Sequence, residues 1–163
     1  MIMELVLIDH VFYICVLSIF AFYISPVYPQ DENVTTNVSK LTKNTYMLEG
    51  SGGNIVVSVG KDDVFMVDDQ FAPFTKKTRE AISKITDKPI KFVINTHWHP
   101  DHIGGNENLG EIRSIIISHD NVRKRLNTEQ FSEFFQSSIL PLSEKGLPII
   151  TYSDNMTIYP NND

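Results

Sequence analysis

The sequence predicts an α/β fold in which a ligand-dense loop leaves the carboxyl end of a buried strand. Three observations predict it. Two short apolar runs, Val64-Phe-Met-Val67 and Ile90-Lys-Phe-Val-Ile94, flank an amphipathic stretch of helical length. Strand, helix, strand at that spacing implies a parallel pair joined by a crossover. Directly after the second run stands Thr96-His97-Trp98-His99-Pro100-Asp101-His102-Ile103-Gly104-Gly105, which holds three of the five histidines of the chain. Open α/β sheets place their ligands at the carboxyl ends of strands.

In chain order, Tyr46-Met-Leu48 and Asn54-Ile-Val-Val-Ser-Val59 read as strands, and Gly50-Ser-Gly-Gly53 between them suits a hairpin. Gly60-Lys-Asp-Asp63 is a second turn, and the strand at Val64 ends at Asp68-Asp69. Phe74 to Ile85 reads as a helix. Pro73 fits its first turn, and Phe74, Thr78, Ala81, Ile82 and Ile85 give it one less polar face. Ile112 to Ser118 is a further strand, with Asp120 as the cap of a helix from Asn121. Thr128 to Leu140 reads as a second helix, because Phe131, Phe134 and Phe135 recur at i, i+3, i+4. That stripe is expected in the core. Pro148 to Tyr152 and Met156 to Tyr159 read as the arms of a hairpin around Ser153-Asp-Asn155.

Length sets one domain as the expectation for 163 residues, and 42% hydrophobic with 21% charged residues is ordinary for a globular chain. The net charge of −6 argues against a general nucleic-acid binder; the one basic cluster, Arg123-Lys124-Arg125, reads as a solvated helix face. Residues 1–30 stand apart. The uncharged run Val11 to Ile24 is short for a membrane span and suits the apolar part of an export signal, although no Lys or Arg precedes it. Export to the periplasm or medium is the expectation, with anchoring through residues 5–24 as the alternative. Cys15 lies inside the run and His10 just before it, so neither is a site candidate, and no disulfide framework exists. Residues 31–45 read as a linker into a domain over 46–163.

Neutral imidazole and carboxylate are the ligands that zinc prefers. His97 and His99 are two apart, so in an extended segment they point the same way and can hold one metal together. Pro100 favours that extended backbone at His99. Asp101 and His102 follow the bend and face a second position, while Gly104-Gly105 lets backbones approach closely. Asp68 ends the neighbouring strand and reads either as a carboxylate that hydrogen-bonds a ligand imidazole from behind or as a turn former. Asp69 reads as a turn residue. His119 sits alone at a strand end and reads as a surface or supporting residue, not a ligand.

At His97, His99, Asp101 and His102 the chain resembles the metallo-β-lactamase-fold superfamily, with its His-x-His-x-Asp-His motif. The resemblance runs from about Tyr46 to the end, and Asp68, the intervening helix and Gly104-Gly105 sit where the family would have them. It implies a four-layer αββα sandwich, of which this chain is the N-terminal half, with two zinc ions at one edge. His97 and His99 would bind the first and Asp101 and His102 the second. It also implies a hydrolase that attacks an ester, thioester, lactone or β-lactam in a small-molecule substrate with metal-activated water, Asp101 orienting the nucleophile. No stable protein partner is implied. His99 sets the chain apart from the flavodiiron branch, and His102 from the β-lactamase subclasses that replace it.

The family draws a third histidine for the first metal, a bridging aspartate and a last histidine from its C-terminal half. No histidine follows His119 here. Two protein ligands per metal fall short of the three usual for catalytic zinc. The chain therefore reads as a fragment or truncated product with little activity of its own. A non-catalytic metal-binding remnant and an iron-dependent, persulfide-dioxygenase-like enzyme are the alternatives.

Overall fold

A computed structural model describes residues 34–159 apart from 134 and 135. The apolar run at 11–24, His10 and Cys15 lie outside the described residues. No helix among the described residues is long and apolar enough to cross a membrane.

Strands β1 (Asn37–Lys40), β2 (Thr45–Glu49), β3 (Ile55–Val59) and β4 (Val64–Val67) form an antiparallel meander. Strands β5 (Ile90–Asn95), β6 (Ile115–His119) and β9 (Ile150–Tyr152) then add in parallel, giving the sheet order β1-β2-β3-β4-β5-β6-β9. Strand β1 falls inside the stretch read as linker. Its side chains are mostly exposed and show no alternating apolar pattern, and it joins the sheet by pairing to β2.

The strands alternate as a half-covered sheet requires. Leu48, Ile55, Val57, Val64, Met66, Val93 and Ile116 point to one face and are at most 1% exposed. Against them pack Ala81 and Ile82 of helix α1 (Thr75–Ser83) and Leu109 of helix α3 (Asn106–Glu111). Each fully buried Leu, Ile, Val or Met contributes about 1.5–3 kcal/mol, so this layer dominates the stability. The opposite face carries Phe65, Phe92 and Ile94, all half-buried, with the two phenyl rings 5.7 Å apart. One sheet with helices on one face is the α/β class expected, and amounts to one half of an αββα sandwich.

Two expected elements differ. The stretch from Thr128 to Leu140 is not a helix: β7 (Gln130–Ser132) and β8 (Ser137–Ile139) pair antiparallel, and Gln136 turns the chain at φ +48°. Phe131 is 61% exposed, outside the core expected for it, and Phe134 and Phe135 lie outside the described residues. Three aromatics at i, i+3, i+4 fit a helix face, yet Ser132, Ser137 and Ser138 among them favour turns and extended backbone. The second arm of the expected C-terminal hairpin is also absent. Strand β9 pairs in parallel with β6, whereas Met156 to Tyr159 joins no sheet, and Tyr159 is 76% exposed. Period-2 alternation reports extended backbone, which does not require a pairing partner.

The ends of the parallel strands position the site. Val67 is level with Ile94, and Asn95 with Ser118. The ladder continues one step, with the Asp68 amide donating to the Ile94 carbonyl at 2.8 Å. Asp68, the loop after Asn95 and His119 therefore emerge along one edge. The strand expected from Ile112 begins at Ile115. Ile112 closes α3, and Arg113 at φ +68° reverses the chain.

Candidate metal centre

The candidate loop starts as β5 runs out. His99 keeps an extended backbone (φ −69°, ψ 145°), and Pro100 then opens the single turn α2 (Pro100–Ile103), where its missing N–H costs nothing. The extended stretch carries His97 and His99; the turn swings Asp101 and His102 back toward them. The imidazole centroids of His97 and His99 lie 4.7 Å apart, and those of His97 and His102 lie 4.0 Å apart. His102 Nε2 stands 3.3 Å from Asp101 Oδ2. All four expected ligands thus share one cluster. His102 closes on His97 instead of facing away from it.

Behind them, Asp68 is 4% exposed and adopts φ +59°, a left-handed conformation that Asp tolerates better than most residues. Its Oδ1 accepts from the Thr96 amide at 2.8 Å, and its Oδ2 accepts from the Thr96 hydroxyl at 2.7 Å. Oδ2 also stands 2.8 Å from His102 Nδ1. A carboxylate accepts, so the His102 Nδ1–H donates to Asp68, and Nε2 is the ring atom beside Asp101. The same logic reaches His97. The Thr96 hydroxyl spends its one proton on Asp68, so it accepts from His97 Nδ1–H, 3.0 Å away, and His97 Nε2 is the free donor atom. One carboxylate engages both rings, directly at His102 and through Thr96 at His97. Asp68 therefore does more than form a turn: it hydrogen-bonds the candidate loop at Thr96 and His102, and Thr96, which sequence reasoning missed, links it to His97.

Burial lowers the His97 pKa, helped by the neighbouring His102 and His99 and opposed by Asp68 and Asp101. A neutral imidazole is the form that ligates metal. Among the described residues, no group of three or more His, Cys, Asp or Glu stands ready to hold a metal ion. The rings lean on one another, at 51° for His97 and His102. One pair of the donor set nonetheless fits. Two ligands of tetrahedral zinc at about 2.0–2.1 Å are separated by about 3.4 Å, and His102 Nε2 and Asp101 Oδ2 stand at 3.3 Å.

The loop is clamped from below and from one side. Asp69, expected as a turn residue, is 1% exposed. Its amide donates to the His102 carbonyl at 3.0 Å and its Oδ1 accepts from the Gly105 amide at 2.8 Å. Burial drives its pKa well above the usual carboxylate range, against the lowering effect of the Gly105 N–H and with a smaller push from Asp68. Gly104 lies so close to the 70–72 backbone that a Cβ there would meet Ala72 N at 2.7 Å and Gln70 O at 2.8 Å. The glycine-rich connection before β3, read from sequence only as a hairpin, also belongs to the site. A Cβ at Gly53 would meet the His102 ring at 2.4 Å, and Gln70 Nε2 donates to the Gly53 carbonyl at 2.7 Å.

Trp98, between the first two histidines, is half-buried and packs with Ile103, Val122, Leu126 and Leu147. The last three lie on and beyond helix α4 (Asp120–Leu126). The Arg125 guanidinium stacks 4.9 Å over its ring. His119 is no ligand. It caps α4, Nδ1 accepting from the Asn121 amide at 3.0 Å, while Nε2–H donates to the Ser153 carbonyl at 2.8 Å. His119, not Asp120, is the cap.

Residues 39–151, more than half of the chain, match the family described as the metallo-beta-lactamase superfamily. The chain belongs to that superfamily. The fold is similar to the subclass B3 metallo-beta-lactamase BJP-1 of Bradyrhizobium japonicum, at 19% identity and TM-score 0.63 over 76% of this chain and 48% of that one. It is similar to the metallo-beta-lactamase MIM-1 of Novosphingobium pentaromativorans, at 16% identity and TM-score 0.63 over 74% and 46%. A linear primary-alkylsulfatase of Pseudomonas sp. is 41% identical over 59 residues, covering 36% of this chain and 10% of that protein. The chain spans about half the length of the solved structures it matches.

Proposed function

We propose that this chain carries the N-terminal share of a dinuclear zinc hydrolase centre, with His97 and His99 on the first metal and Asp101 and His102 on the second. The observation that carries the reading is the chain of hydrogen bonds from Asp68 to His102 and, through Thr96, to His97, which engages Nδ1 on both rings and leaves Nε2 of each outside that chain. Metal-bound histidines usually have their second ring nitrogen held by a carboxylate or an equivalent acceptor. Zinc, when bound there, lowers the pKa of a coordinated water toward ~7 and polarises the oxygen of an acyl or related ester. Asp101 orients the nucleophile, Asp68 holds the imidazoles, and Trp98, packed against helix α4, anchors the backbone between the two histidines. Iron is the alternative metal, and thiol oxidation the alternative chemistry.

The substrate is a small molecule with a scissile ester-like bond. Carboxylic esters, thioesters, lactones and β-lactams are the classes proposed, and the alkylsulfatase relative adds sulfate esters. A second reading is supported by the half-length match to the solved structures. On that reading this chain alone, with two protein ligands for each metal, binds zinc weakly and turns over little. Export through residues 1–30, or anchoring through 5–24, remains part of the proposal.

Zinc content and hydrolysis of nitrophenyl esters, a chromogenic cephalosporin and an alkyl sulfate, measured on the purified chain, test both readings. Retained zinc that His97→Ala and His102→Ala each reduce supports the centre. Zinc content unchanged in both variants refutes it.

A further inference from the structure

The loop that carries every candidate ligand begins after Asn95 and ends before Asn106, and the side chains of these two asparagines meet beneath it. Asn95 Nδ2 donates to Asn106 Oδ1 at 3.0 Å, and Asn106 Nδ2 donates to Asn95 Oδ1 at 3.0 Å. Both residues are 0% exposed. Carbonyl acceptors dictate which way each amide faces. Asn106 Nδ2 also donates to the Gly146 carbonyl at 3.0 Å, and Asn95 Nδ2 points to the His102 carbonyl at 3.5 Å. Oxygen in either place would set two acceptors against each other. Chemically, the pair is a closed ring of two amide hydrogen bonds, with one donor left over on each side and both used.

We propose that Asn95 and Asn106 are positioning residues for the candidate centre: their reciprocal amide pair closes the ligand loop at its base and orders it before any metal arrives. The proposal rests on the metal reading above and adds to it where the ordering comes from. Loop closure has an entropic cost that must fall either on folding or on metal binding. A pair shut inside the core places it on folding. The same amide ties in the strap formed by residues 142–147, because Asn106 holds the Gly146 carbonyl while Glu107 accepts from the Ser143 amide at 2.7 Å. Aspartate at 106 would keep the acceptor for Asn95 and lose both donors. Alanine at either position would strand the partner amide in a dry interior.

Two measurements on the full chain test this. Amide hydrogen exchange in chelator reads the loop without metal, at Thr96 N–H (held by Asp68), Gly105 N–H (held by Asp69) and Asp69 N–H (held by the His102 carbonyl). Zinc affinity by competition with a chromophoric chelator reads the consequence. In Asn106→Asp and Asn95→Ala, the three loop amides should lose protection by a larger factor than core amides such as Met66 and Leu48. Zinc affinity should fall about 10-fold or more. The double variant should cost less than the sum of the two singles, because both remove the shared pair while each also loses its own outer bond. Protection that falls equally in loop and core, or unchanged loop protection in a folded variant, overturns the proposal. Absence of zinc binding by the unsubstituted chain instead overturns the metal reading on which it rests, and the exchange result still judges the clasp.

Discussion

Replacing Asp68 with asparagine separates support of the fold from support of the metal. The substitution is nearly isosteric, and Asn tolerates the φ of +59° at this position. The remaining carbonyl oxygen can still accept from the Thr96 amide. The new NH2 group would face the Thr96 hydroxyl and His102 Nδ1, which now donate to Oδ2 at 2.7 and 2.8 Å. Two charge-assisted bonds are exchanged for neutral ones, a difference of about 1 kcal/mol each. Thr96 is exposed and its hydroxyl can turn to water, so the net stability cost is about 1–2 kcal/mol. For a chain of this size that lowers Tm by about 2–8 °C. The effect on metal is larger. To accept from the new amide, His102 must move its proton to Nε2, the atom expected to bind zinc. Zinc affinity should fall about 10–100-fold. Nitrogen NMR of labelled histidine reads the tautomer, and chelator competition reads the affinity. An Asp68→Asn chain that keeps His102 protonated on Nδ1 and binds zinc as the unsubstituted chain does would refute the reasoning.

Gly53→Ala places a methyl 2.4 Å from the His102 ring and should lower zinc affinity about 10-fold while the Met66 and Leu48 core stays intact, as read by chelator competition and near-UV circular dichroism. Asp69→Asn keeps the acceptor for the Gly105 amide and removes the cost of ionising a buried carboxyl, so the melting temperature at pH 7 should rise by a few degrees. Below its ordinary value of 6.5, His97 binds a proton more readily unfolded than folded, because burial and its imidazole neighbours depress its folded pKa. Its contribution is therefore complete above pH 6.5 and is lost as pH falls through the depressed folded value. Melting of the metal-free Asp69→Asn chain across pH 5–8 should show that acid-side loss, and Asp69→Asn/His97→Gln should flatten it.

The sheet was legible because its strands are short apolar runs bounded by Gly, Asp and Pro, as at Gly60 to Asp63 before Val64. The four candidate ligands were legible because they are packed into six consecutive positions, where spacing alone carries information. What escaped the sequence depends on contacts between distant residues. Gly53 matters because it abuts His102, and Asp69 because it holds Gly105, 36 positions away. Nothing local to Asn95 or Asn106 announces their pairing. The short α2 and α3 escaped because Asn106–Glu111 buries only Asn106 and Leu109, too few positions to show a helical period. The stretch around Phe131 misled for the opposite reason, since three aromatics made a period that the serines beside them contradicted.

X-ray absorption at the zinc edge, on the chain loaded with zinc and passed through a desalting column, tests the central claim most directly. The claim requires retained zinc with a shell of nitrogen and oxygen at about 2.0–2.1 Å, the outer-shell scattering of imidazole, and loss of that scattering when His97, His99 and His102 are replaced together. Zinc that washes away, or a shell without imidazole scattering, would contradict it.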